Sequence, residues 1–323
     1  MSLAGDIKQK ALELGFDLVG ITDASALDNE QFELLTDWLA FGYAGRMDYM
    51  RQNLDKRTNP AKLLKDTQSI ICVGLNYTPP ETHKQPLEPA EPMGRVANYA
   101  QYEDYHPFIK KLLRELTKFI TANSATGITG EEIKFKICVD SAPLAERALA
   151  LRAGLGFIGK NHLLINPKLG PQLFLGEIIT NLKLQIDEPI KNNCSGCNKC
   201  IEACPTGALR PDGQFDANRC ISYLTTEYKG QIPADLAEKI SDRLFGCDEC
   251  VLACPYQNSA PVCKNKQFKF HSGRARLNLH EILNLTSESF EVKFADSPIK
   301  RLTLQRLKRN AQICLNNITR PSI

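Results

Sequence analysis

Residues 194–205 read CSGCNKCIEACP, and the spacing of their four cysteines decides what the middle of this chain must be. The run fits C-x2-C-x2-C-x3-C-P without a mismatch, the bacterial ferredoxin arrangement for two 4Fe-4S clusters. Thiolates are soft donors that suit such clusters, and spacings of two place consecutive thiolates around one cubane face. The fourth cysteine of such a run ligates the other cluster, so a second cysteine motif is expected.

A shortened copy of the motif follows fifty residues later, where Cys247, Cys250 and Cys254-Pro255 repeat its last three positions and Leu244 replaces its first cysteine. Crossing the fourth ligands predicts two sets: Cys194, Cys197, Cys200 and Cys254 for one cluster, and Cys204, Cys247 and Cys250 for the other, which lacks a ligand. Cys220 lies between the motifs and Cys263 lies beyond them. We assign Cys220 as the missing ligand, with Cys263 as the weaker candidate.

Disulfides and zinc sites are the alternatives to iron-sulfur clusters for a chain with twelve cysteines. Structural disulfides are disfavoured because the thiol pool of the cytoplasm keeps such pairs reduced. Paired zinc sites favour C-x2-C pairs separated by longer gaps, unlike the triple spacing found here. The cysteines outside the motifs are expected to be small buried or surface residues: Cys72, Cys138, Cys263 and Cys314.

Length and composition are those of a cytoplasmic enzyme with more than one domain. The 323 residues are 43% hydrophobic and 24% charged, and no apolar run approaches the roughly 18 residues that a membrane span requires. Residues 1–22 lack the basic and apolar regions of a signal peptide, so we expect a cytoplasmic protein that does not associate with membranes. Residues 264–323 hold twelve Lys and Arg against four Asp and Glu, so the net charge of +3 comes from a basic tail.

Hydrophobic periodicity predicts three regions: a first α/β domain over residues 1–185, a cysteine-rich domain over 186–263 and a basic helical tail over 264–323. Strands are expected at 17–22, 69–77, 134–140, 162–167 and 173–180, with the last two completing one sheet. Helices are expected at 5–15, 29–43, 45–54, 105–122, 143–154, 280–294 and 302–317. The Pro-rich segment 78–94 is predicted to be a loop or lid, and loops of that length tend to be functional.

The densest chemistry of the first domain is CVDSAP (138–143), where a strand end carries an acid into a helix start. Asp140 or Ser141 could cap the helix by accepting a backbone N–H, and taken alone that structural role is favoured. The alternative is that Asp140 is a proton donor, which needs apolar neighbours to raise its pKa from about 3.9 toward neutrality. Val139, Ala142 and Pro143 are such neighbours.

The chain resembles the epoxyqueuosine reductases, cobalamin-dependent enzymes of the last step in making queuosine in tRNA. The resemblance covers about residues 5–263, and the tail weakly. It rests on KRTNPAKLL (56–64), NYAQYEDYH (98–106), CVDSAPLAERALALRAGLGFIGKN (138–161), the eight cluster cysteines and CISYLT (220–225). The combination is far more specific than any one of these motifs.

The resemblance implies an α+β protein with a nitroreductase-like cobalamin-binding α/β domain, a ferredoxin-like two-cluster domain and a short HEAT-like helical segment. It implies that Asp140 donates the proton, that Arg57, Tyr99, Asn161 and Ser222 contact the corrinoid, and that Cys220 ligates the second cluster. Each of the four contact residues could also be an ordinary surface charge, core aromatic, turn residue or helix cap. The D-x-H-x-x-G motif is absent because Ile109 follows where Gly is needed, so no protein histidine is expected on cobalt.

The implied reaction is a two-electron deoxygenation of epoxyqueuosine in the anticodon loop of tRNA. Electrons are expected to pass from an external low-potential donor, of the flavodoxin or ferredoxin type, through the clusters to cobalamin, in a monomeric enzyme. The basic tail, Arg306, Lys308 and Arg309 above all, is expected to contact tRNA, although the same cations could merely solvate exposed helices.

Three rival functions remain: a reductive dehalogenase-like enzyme, a pure electron carrier, and an RNA-binding module with structural clusters. Reductive dehalogenases typically carry an export signal, which is not expected in residues 1–22. Bound corrinoid would exclude the electron carrier, and RNA binding without turnover would support the RNA-binding module.

Overall fold

The protein is described by a computed structural model that covers residues 2–80, 91–124 and 132–319. The strands are β1 (Leu18–Asp23), β2 (Ser69–Asn76), β3 (Met93–Val96), β4 (Phe135–Cys138), β5 (Phe157–Ile158), β6 (Leu164–Ile165), β7 (Leu173–Thr180), β8 (Arg243–Phe245) and β9 (Arg276–Asn278). The helices are α1 (Leu3–Glu13), α2 (Asn29–Ala40), α3 (Leu54–Thr58), α4 (Tyr105–Asn123), α5 (Glu146–Arg152), α6 (Lys199–Glu202), α7 (Ile221–Thr226), α8 (Ala234–Ile240), α9 (Glu249–Leu252), α10 (Pro255–Asn258), α11 (Leu279–Asn284), α12 (Ser287–Lys293) and α13 (Leu304–Thr319). Short 3-10 turns lie at Asp48–Met50, Pro60–Lys62, Asn98–Gln101, Ala217–Arg219, Ser272–Arg274 and Pro298–Arg301.

A four-stranded antiparallel sheet in the order β1-β2-β7-β4 organises the first half of the chain. Helices α1 and α4 cover one face, where they pack on Ile71 and Val73 of β2. Helix α5 covers the other face, against Ile70 and Cys72 of the same strand. Because helices lie on both faces, all eight residues of β2 are buried, which explains why its sequence is apolar without polar alternation.

A second, three-stranded sheet in the order β8-β3-β9 joins distant parts of the chain. Strand β3 pairs in parallel with β8 of the cysteine-rich segment and antiparallel with β9 of the tail. Helices α11, α12 and α13 pack on this sheet around Leu244 and Leu277. Residues from all three regions expected from the sequence therefore share one core.

The cysteine-rich segment places a short helix inside each cysteine motif. Helix α6 contains Cys200 and helix α9 contains Cys250, and these two helices pack against each other. Cys204 and Cys254 follow at the two helix ends, each before a proline. The imperfect repeat in the sequence is thus a structural repeat, with the two motifs face to face.

The structure confirms most expected elements and corrects three. The strands expected at 17–22 and 69–77 and the helix expected at 105–122 are present. Residues 45–54 do not form one helix, because a 3-10 turn and Asn53 with φ 53° interrupt the segment before α3. The strand expected at 162–167 shortens to β6, which pairs with β5 in a separate hairpin instead of completing the main sheet. The helix expected at 280–294 divides at Leu285 into α11 and α12.

Two further expectations concern the Pro-rich segment and the membrane. Residues 81–90 of the expected loop 78–94 lie outside the described residues. Within the described ranges, no helix has both the length and the apolar character that crossing a membrane requires.

Candidate active site and cluster centres

Asp140 lies just beyond the end of β4, in a backbone conformation that residues other than glycine rarely adopt. Its φ is 57°, in the left-handed region, which for a residue with a Cβ atom is a strained position that surrounding contacts must hold. One such contact is its own N–H, which donates to Oε1 of Glu146 at 2.5 Å. Glu146 is the first residue of α5, so the strand-to-helix connection is fastened from the helix side.

The carboxylate of Asp140 is held between two cationic side chains. Its Oδ2 lies 3.0 Å from Nε2 of His106 and 3.1 Å from Nη1 of Arg301. His106 stands in the first turn of α4, where its Nδ1 lies 2.7 Å from Oδ1 of Asp104, the residue that caps this helix. Arg301 comes from the 3-10 turn before α13. Three distant segments therefore meet at one carboxylate.

These neighbours reverse the protonation expected for Asp140. Burial alone raises its pKa, but the hydrogen bonds and charges of His106 and Arg301 outweigh burial and hold that pKa well below its usual range. Burial alone lowers the pKa of His106, yet Asp104 and Asp140 outweigh it and the pKa rises. The expectation that apolar neighbours would raise the pKa of Asp140 is wrong because the carboxylate turns toward cations instead. Asp140 is therefore ionised at neutral pH, and His106 is the adjacent group whose raised pKa favours a bound proton.

Aromatic rings fix the orientation of this imidazole. The ring of Tyr105 stacks on that of His106 with centroids 4.0 Å apart, and it also stacks on Phe174 at 4.2 Å. Phe174 belongs to β7 in the centre of the main sheet. The imidazole therefore has a rigid apolar support on one face and carboxylates at both nitrogens.

Arg57 and Tyr99, expected at a corrinoid, lie near Asp140. Arg57 in α3 donates from Nη2 to the carbonyl of Tyr49 at 3.3 Å, while its buried Nε has no partner among the described residues. The charge of Asp140 acts on the pKa of both Tyr49 and Tyr99, which burial raises first of all. Tyr49 thus connects Arg57 with Asp140, and the buried Nε of Arg57 is a donor that a ligand could use.

Asn161 and Ser222 adjoin the cluster cysteines. Asn161 is buried, donates to the carbonyl of Cys250 at 3.3 Å and accepts the N–H of Leu163. Ser222 lies in the first turn of α7, two residues after Cys220. Both residues are therefore linked to the segments that carry thiols of the second predicted set.

The seven motif cysteines and Cys220 are free thiols that fall into two groups. Burial raises the pKa of Cys200, as do the neighbouring thiols of its group: Cys194, Cys197 and Cys254. Burial likewise raises the pKa of Cys250, together with its own group: Cys220, Cys247 and Cys204. The first group has the members of one predicted ligand set, and the second has those of the other together with the assigned Cys220; ligation of the clusters by these thiols stays a prediction.

Cys263, the weaker candidate, lies elsewhere. Its N–H donates to the carbonyl of Thr78, and the groups that act on the pKa of its thiol include Asp17 and Tyr102, which lie at the first core.

Among the described residues, no three His, Cys, Asp or Glu side chains converge tightly enough to share a single metal ion. A four-iron cubane places one thiolate at each iron, so it requires a wider arrangement of ligands than one ion does.

The basic tail is engaged mostly inside the protein. Seven of its twelve cations contact acidic side chains or main-chain carbonyls: Arg274, Arg276, Lys293, Lys300, Arg301, Arg306 and Arg309. Arg306 donates to the carbonyl of Thr226, and Arg309 donates to those of Leu224, Tyr228 and Gly230. Two of the three residues expected to contact tRNA therefore bind the C-terminal end of α7.

Four site residues escape recognition in the sequence: His106, Arg301, Glu146 and Glu177. Glu177 is fully buried in β7 and has a visible signal, since it is a single acid in the apolar strand LFLGEIIT. His106 follows an N-cap motif and has the sequence context of an ordinary helix start. Arg301 has no local signal, because its partner Asp140 is 161 positions away.

Known proteins are similar to this chain in sequence and in fold. A family model described as 4Fe-4S double cluster binding domain matches residues 193–257, and one described as epoxyqueuosine reductase QueG, DUF1730, matches residues 57–141. An epoxyqueuosine reductase from Vibrio cholerae serotype O1 is 36% identical over 315 residues, which are 98% of this chain and 83% of that protein. The chain belongs to the epoxyqueuosine reductase family. The resemblance inferred from the motifs and the prediction of two 4Fe-4S clusters are thereby confirmed.

Solved structures of epoxyqueuosine reductases share the whole fold. A crystal structure of such an enzyme with an epoxyqueuosine-modified tRNA stem loop has a TM-score of 0.89 at 30% identity, covering 98% of this chain and 81% of that one. The Bacillus subtilis enzyme, with its catalytic aspartate loop swung out of the active site, has a TM-score of 0.88 at 30% identity with the same coverage. This chain is therefore a mixed helix and sheet member of the epoxyqueuosine reductase family with a 4Fe-4S binding domain.

Proposed function

We propose that this chain reduces epoxyqueuosine to queuosine in the anticodon loop of tRNA, with Asp140 as the proton donor to the epoxide oxygen. The observation that carries the assignment of Asp140 is its carboxylate, which lies 3.0 Å from Nε2 of His106 in a member of the epoxyqueuosine reductase family. The net reaction takes two electrons and two protons, breaks both C–O bonds of the epoxide, forms a C=C bond and releases water. A site for it needs a reductant on one side and a proton path on the other.

The proton path begins at His106. Its Nε2 also lies 3.0 Å from Nη1 of Arg301, but both are donors when the imidazole is protonated, so their shared acceptor is Oδ2 of Asp140. Asp140 is ionised at rest and takes the proton of Nε2 as negative charge develops on the substrate oxygen beside it. Transfer of a proton from His106 through Asp140 to the substrate oxygen is general acid catalysis, which contributes roughly 10²- to 10⁴-fold to a rate.

The reductant is proposed to be cobalamin, and two half-buried residues support such a group. The buried Nε of Arg57 is a donor without a partner among the described residues, and Tyr99 lies where the charge of Asp140 acts on its phenol. Arg57, Tyr99 and Asp140 would contact the corrinoid on the substrate side, with Asn161 and Ser222 next to the clusters. When bound, the corrinoid supplies a low-valent cobalt centre, chemistry that side chains lack. Both ring nitrogens of His106 already have carboxylate partners, so cobalt is proposed to have no protein histidine ligand.

Electrons are proposed to enter through the clusters. One cluster would be held by Cys194, Cys197, Cys200 and Cys254 and the other by Cys204, Cys220, Cys247 and Cys250, in line with the two groups of thiols. An external low-potential donor of the flavodoxin or ferredoxin type would load them. The enzyme is proposed to act as a monomer in the cytoplasm.

The finer architecture is also a proposal. Residues 1–185 would form a nitroreductase-like cobalamin-binding domain, residues 186–263 a ferredoxin-like domain and residues 264–323 a HEAT-like helical segment. Support comes from the main sheet, the paired cysteine motifs and the helices α11 to α13 respectively. The tRNA stem loop bound by a structural relative supports tRNA as the substrate of this chain as well.

The test is turnover of tRNA that carries epoxyqueuosine, by protein purified without oxygen, reconstituted with iron, sulfide and cobalamin, and supplied with a low-potential reductant. Mass spectrometry of the released nucleosides should show queuosine, lighter by one oxygen. Asp140→Asn should keep iron, cobalt and tRNA binding but lose about 10²- to 10⁴-fold in rate. Iron and cobalt incorporation without any turnover would overturn the proposed activity, and full activity of Asp140→Asn would remove Asp140 as the donor.

A further inference from the structure

A second pair of carboxyl groups lies behind Asp140, and the proposed reaction does not use it. Glu177 of β7 is fully buried, and it is flanked in the sheet by Cys72 of β2 and Cys138 of β4, which pair with it directly. Residues directly opposite one another in antiparallel strands point to the same face. That face is the one covered by α5, whose first residue is Glu146.

Glu146 at the start of α5 and Glu177 in β7 belong to elements that pack together at this face, and each carboxyl acts on the pKa of the other. Across the described ranges, neither carboxyl oxygen of Glu177 meets an N–H or hydroxyl donor. Two carboxylates only accept hydrogen bonds, so a bond between them requires that one of them carries a proton. An ionised carboxylate in that position would be buried without any donor, which is strongly unfavourable.

The proton belongs on Glu177. Burial first, and then the negative charges of Glu146 and Asp140, raise the pKa of Glu177 well above its usual range. Glu146 differs because it also accepts the main-chain N–H of Asp140 and feels the cation of Arg147. Burial and Asp140 also raise the pKa of Glu146, but the N–H of Asp140 and the charge of Arg147 oppose that rise, whereas no N–H or hydroxyl donor among the described residues reaches Glu177.

We propose that Glu177 keeps its proton and donates it to Glu146 in a hydrogen bond. The ionised Glu146 then accepts the N–H of Asp140 and holds the catalytic loop, residues 138–143, in place. In this inward position the Asp140 carboxylate lies between His106 and Arg301. Glu146 and Glu177 are then positioning residues, and Asp140 remains the group that meets substrate. The inference rests on the proposed role of Asp140. Backbone strain at Asp140, whose φ is 57°, favours movement of the loop away from this position. The hydrogen bond from the N–H of Asp140 to Oε1 of Glu146, at 2.5 Å, opposes that movement.

Three substitutions separate this arrangement from ordinary core packing. Glu177→Gln replaces the O–H donor by an amide N–H donor of similar shape, whereas Glu177→Leu removes the donor and leaves an apolar side chain of similar size. Ile179→Val is the matched control, because Ile179 is also fully buried in β7 and shares the core beneath α5.

Hydrogen exchange of the peptide around Asp140, measured by mass spectrometry on the reconstituted enzyme, reports directly on the hydrogen bond from the N–H of Asp140 to Glu146. We expect at least about 10-fold faster exchange of this peptide in Glu177→Leu, and near wild-type exchange in Glu177→Gln and Ile179→Val. The rate of a single turnover should follow the same order, with a loss of about 10²-fold in Glu177→Leu from misplacement of Asp140, and rescue by Gln. Unchanged exchange in Glu177→Leu would overturn the proposal while leaving the role of Asp140 intact.

Infrared spectroscopy tests the proton itself. The difference spectrum between wild type and Glu177→Gln at neutral pH should contain the C=O band of a protonated carboxyl group. Absence of that band would overturn the protonated state of Glu177. Neither the exchange nor the infrared measurement depends on turnover, so their failure is distinguishable from failure of the proposed reaction.

Discussion

At the scale of single residues, the two cations on Asp140 differ in what they can deliver. The guanidinium of Arg301 cannot be deprotonated in a protein, so it can only hold the carboxylate and lower its pKa. The imidazolium of His106 can release its proton near neutral pH. Asp104 on the far nitrogen then stabilises the tautomer with Nδ1–H that remains. Of these two cations, only His106 can therefore return a proton to Asp140 between turnovers.

A pH dependence follows for the rate of a single turnover. The pKa of His106 is raised above its ordinary value of about 6.5, so its proton is present below that raised pKa and is lost as pH rises through it. The rate should therefore fall on the alkaline side. His106→Gln, which can still donate a hydrogen bond to Asp140 but supplies no proton, should lose about 10²-fold and flatten this limb. Rapid-quench assays across pH measure both effects, and an unchanged alkaline limb in His106→Gln would assign it to another group.

At the scale of elements, helix α13 fastens the segment that carries Cys220. Arg309 donates to three carbonyls at and beyond the end of α7, and the fully buried amide of Asn310 donates to Thr225 and to Leu244 of β8. The last carbonyls of a helix lack partners within the helix, so cations placed there stabilise it. The tail thus supports the second group of cysteines mechanically.

Loss of this support should be measurable as stability. Arg309→Ala removes three donors from half-buried carbonyls and should lower the free energy of unfolding by about 1–3 kcal/mol. Gln305→Ala on the exposed face of α13 is the control and should change it by no more than about 0.5 kcal/mol. Denaturant titration of the apo and cluster-loaded proteins makes the comparison. Equal stability of the two variants would mean that α7 does not depend on α13.

The assignment of Cys220 has an equally direct test. Cys220→Ser should reduce iron from about eight to about four atoms per chain, because one cubane loses a ligand while the other keeps all four. Cys263→Ser is the control and should keep about eight. Iron analysis and electron paramagnetic resonance of the reduced proteins measure the outcome. The reverse pattern would transfer the ligand to Cys263.

Elements and motifs differ in how far the sequence can predict them. The central strand β2 is recognisable in the sequence because its eight residues are all buried and therefore mostly apolar. The cysteine sets are recognisable because ligation of a cluster constrains the spacing of its cysteines. The break at Asn53 escapes prediction because helical periodicity does not report a left-handed residue. Strand β3 escapes it because its four residues, MGRV, are half-buried and pair with partners far along the chain. The contacts of Asp140 depend on tertiary packing, which no local pattern encodes.

At the scale of the whole molecule, we expect tRNA to bind the basic surface near the catalytic loop rather than the tail. A hollow of about 410 Å³ opens beside residues 138–143, and three ammonium groups line it: Lys56, Lys110 and Lys136. Phosphates that flank a base entering the Asp140 site would pass this rim. The tail cations are in contrast largely committed to contacts inside the protein.

Replacing these three lysines by Gln should weaken binding of the tRNA stem loop and reduce its dependence on salt. Each lost phosphate contact should lower the slope of log affinity against log salt by about 0.7–0.9. The rate at saturating tRNA should stay near wild type. Replacing Lys264, Lys266 and Lys269 of the tail by Gln is the matched control, with little effect on the slope. Fluorescence anisotropy in a salt series decides between the two surfaces, and an effect confined to the tail variant would contradict the expectation.

The sheet β8-β3-β9 also has a consequence for biosynthesis. Strand β3 leaves the ribosome early, yet both of its partners lie about 150 to 180 residues later. Contacts of such high sequence separation form late, because a long loop must close before they stabilise anything. The nascent chain therefore has an unpaired strand edge until β9 emerges, after all eight cluster cysteines. A limited iron supply would prolong the time before the cysteine-rich segment folds, and would leave this unpaired edge exposed to aggregation and proteolysis.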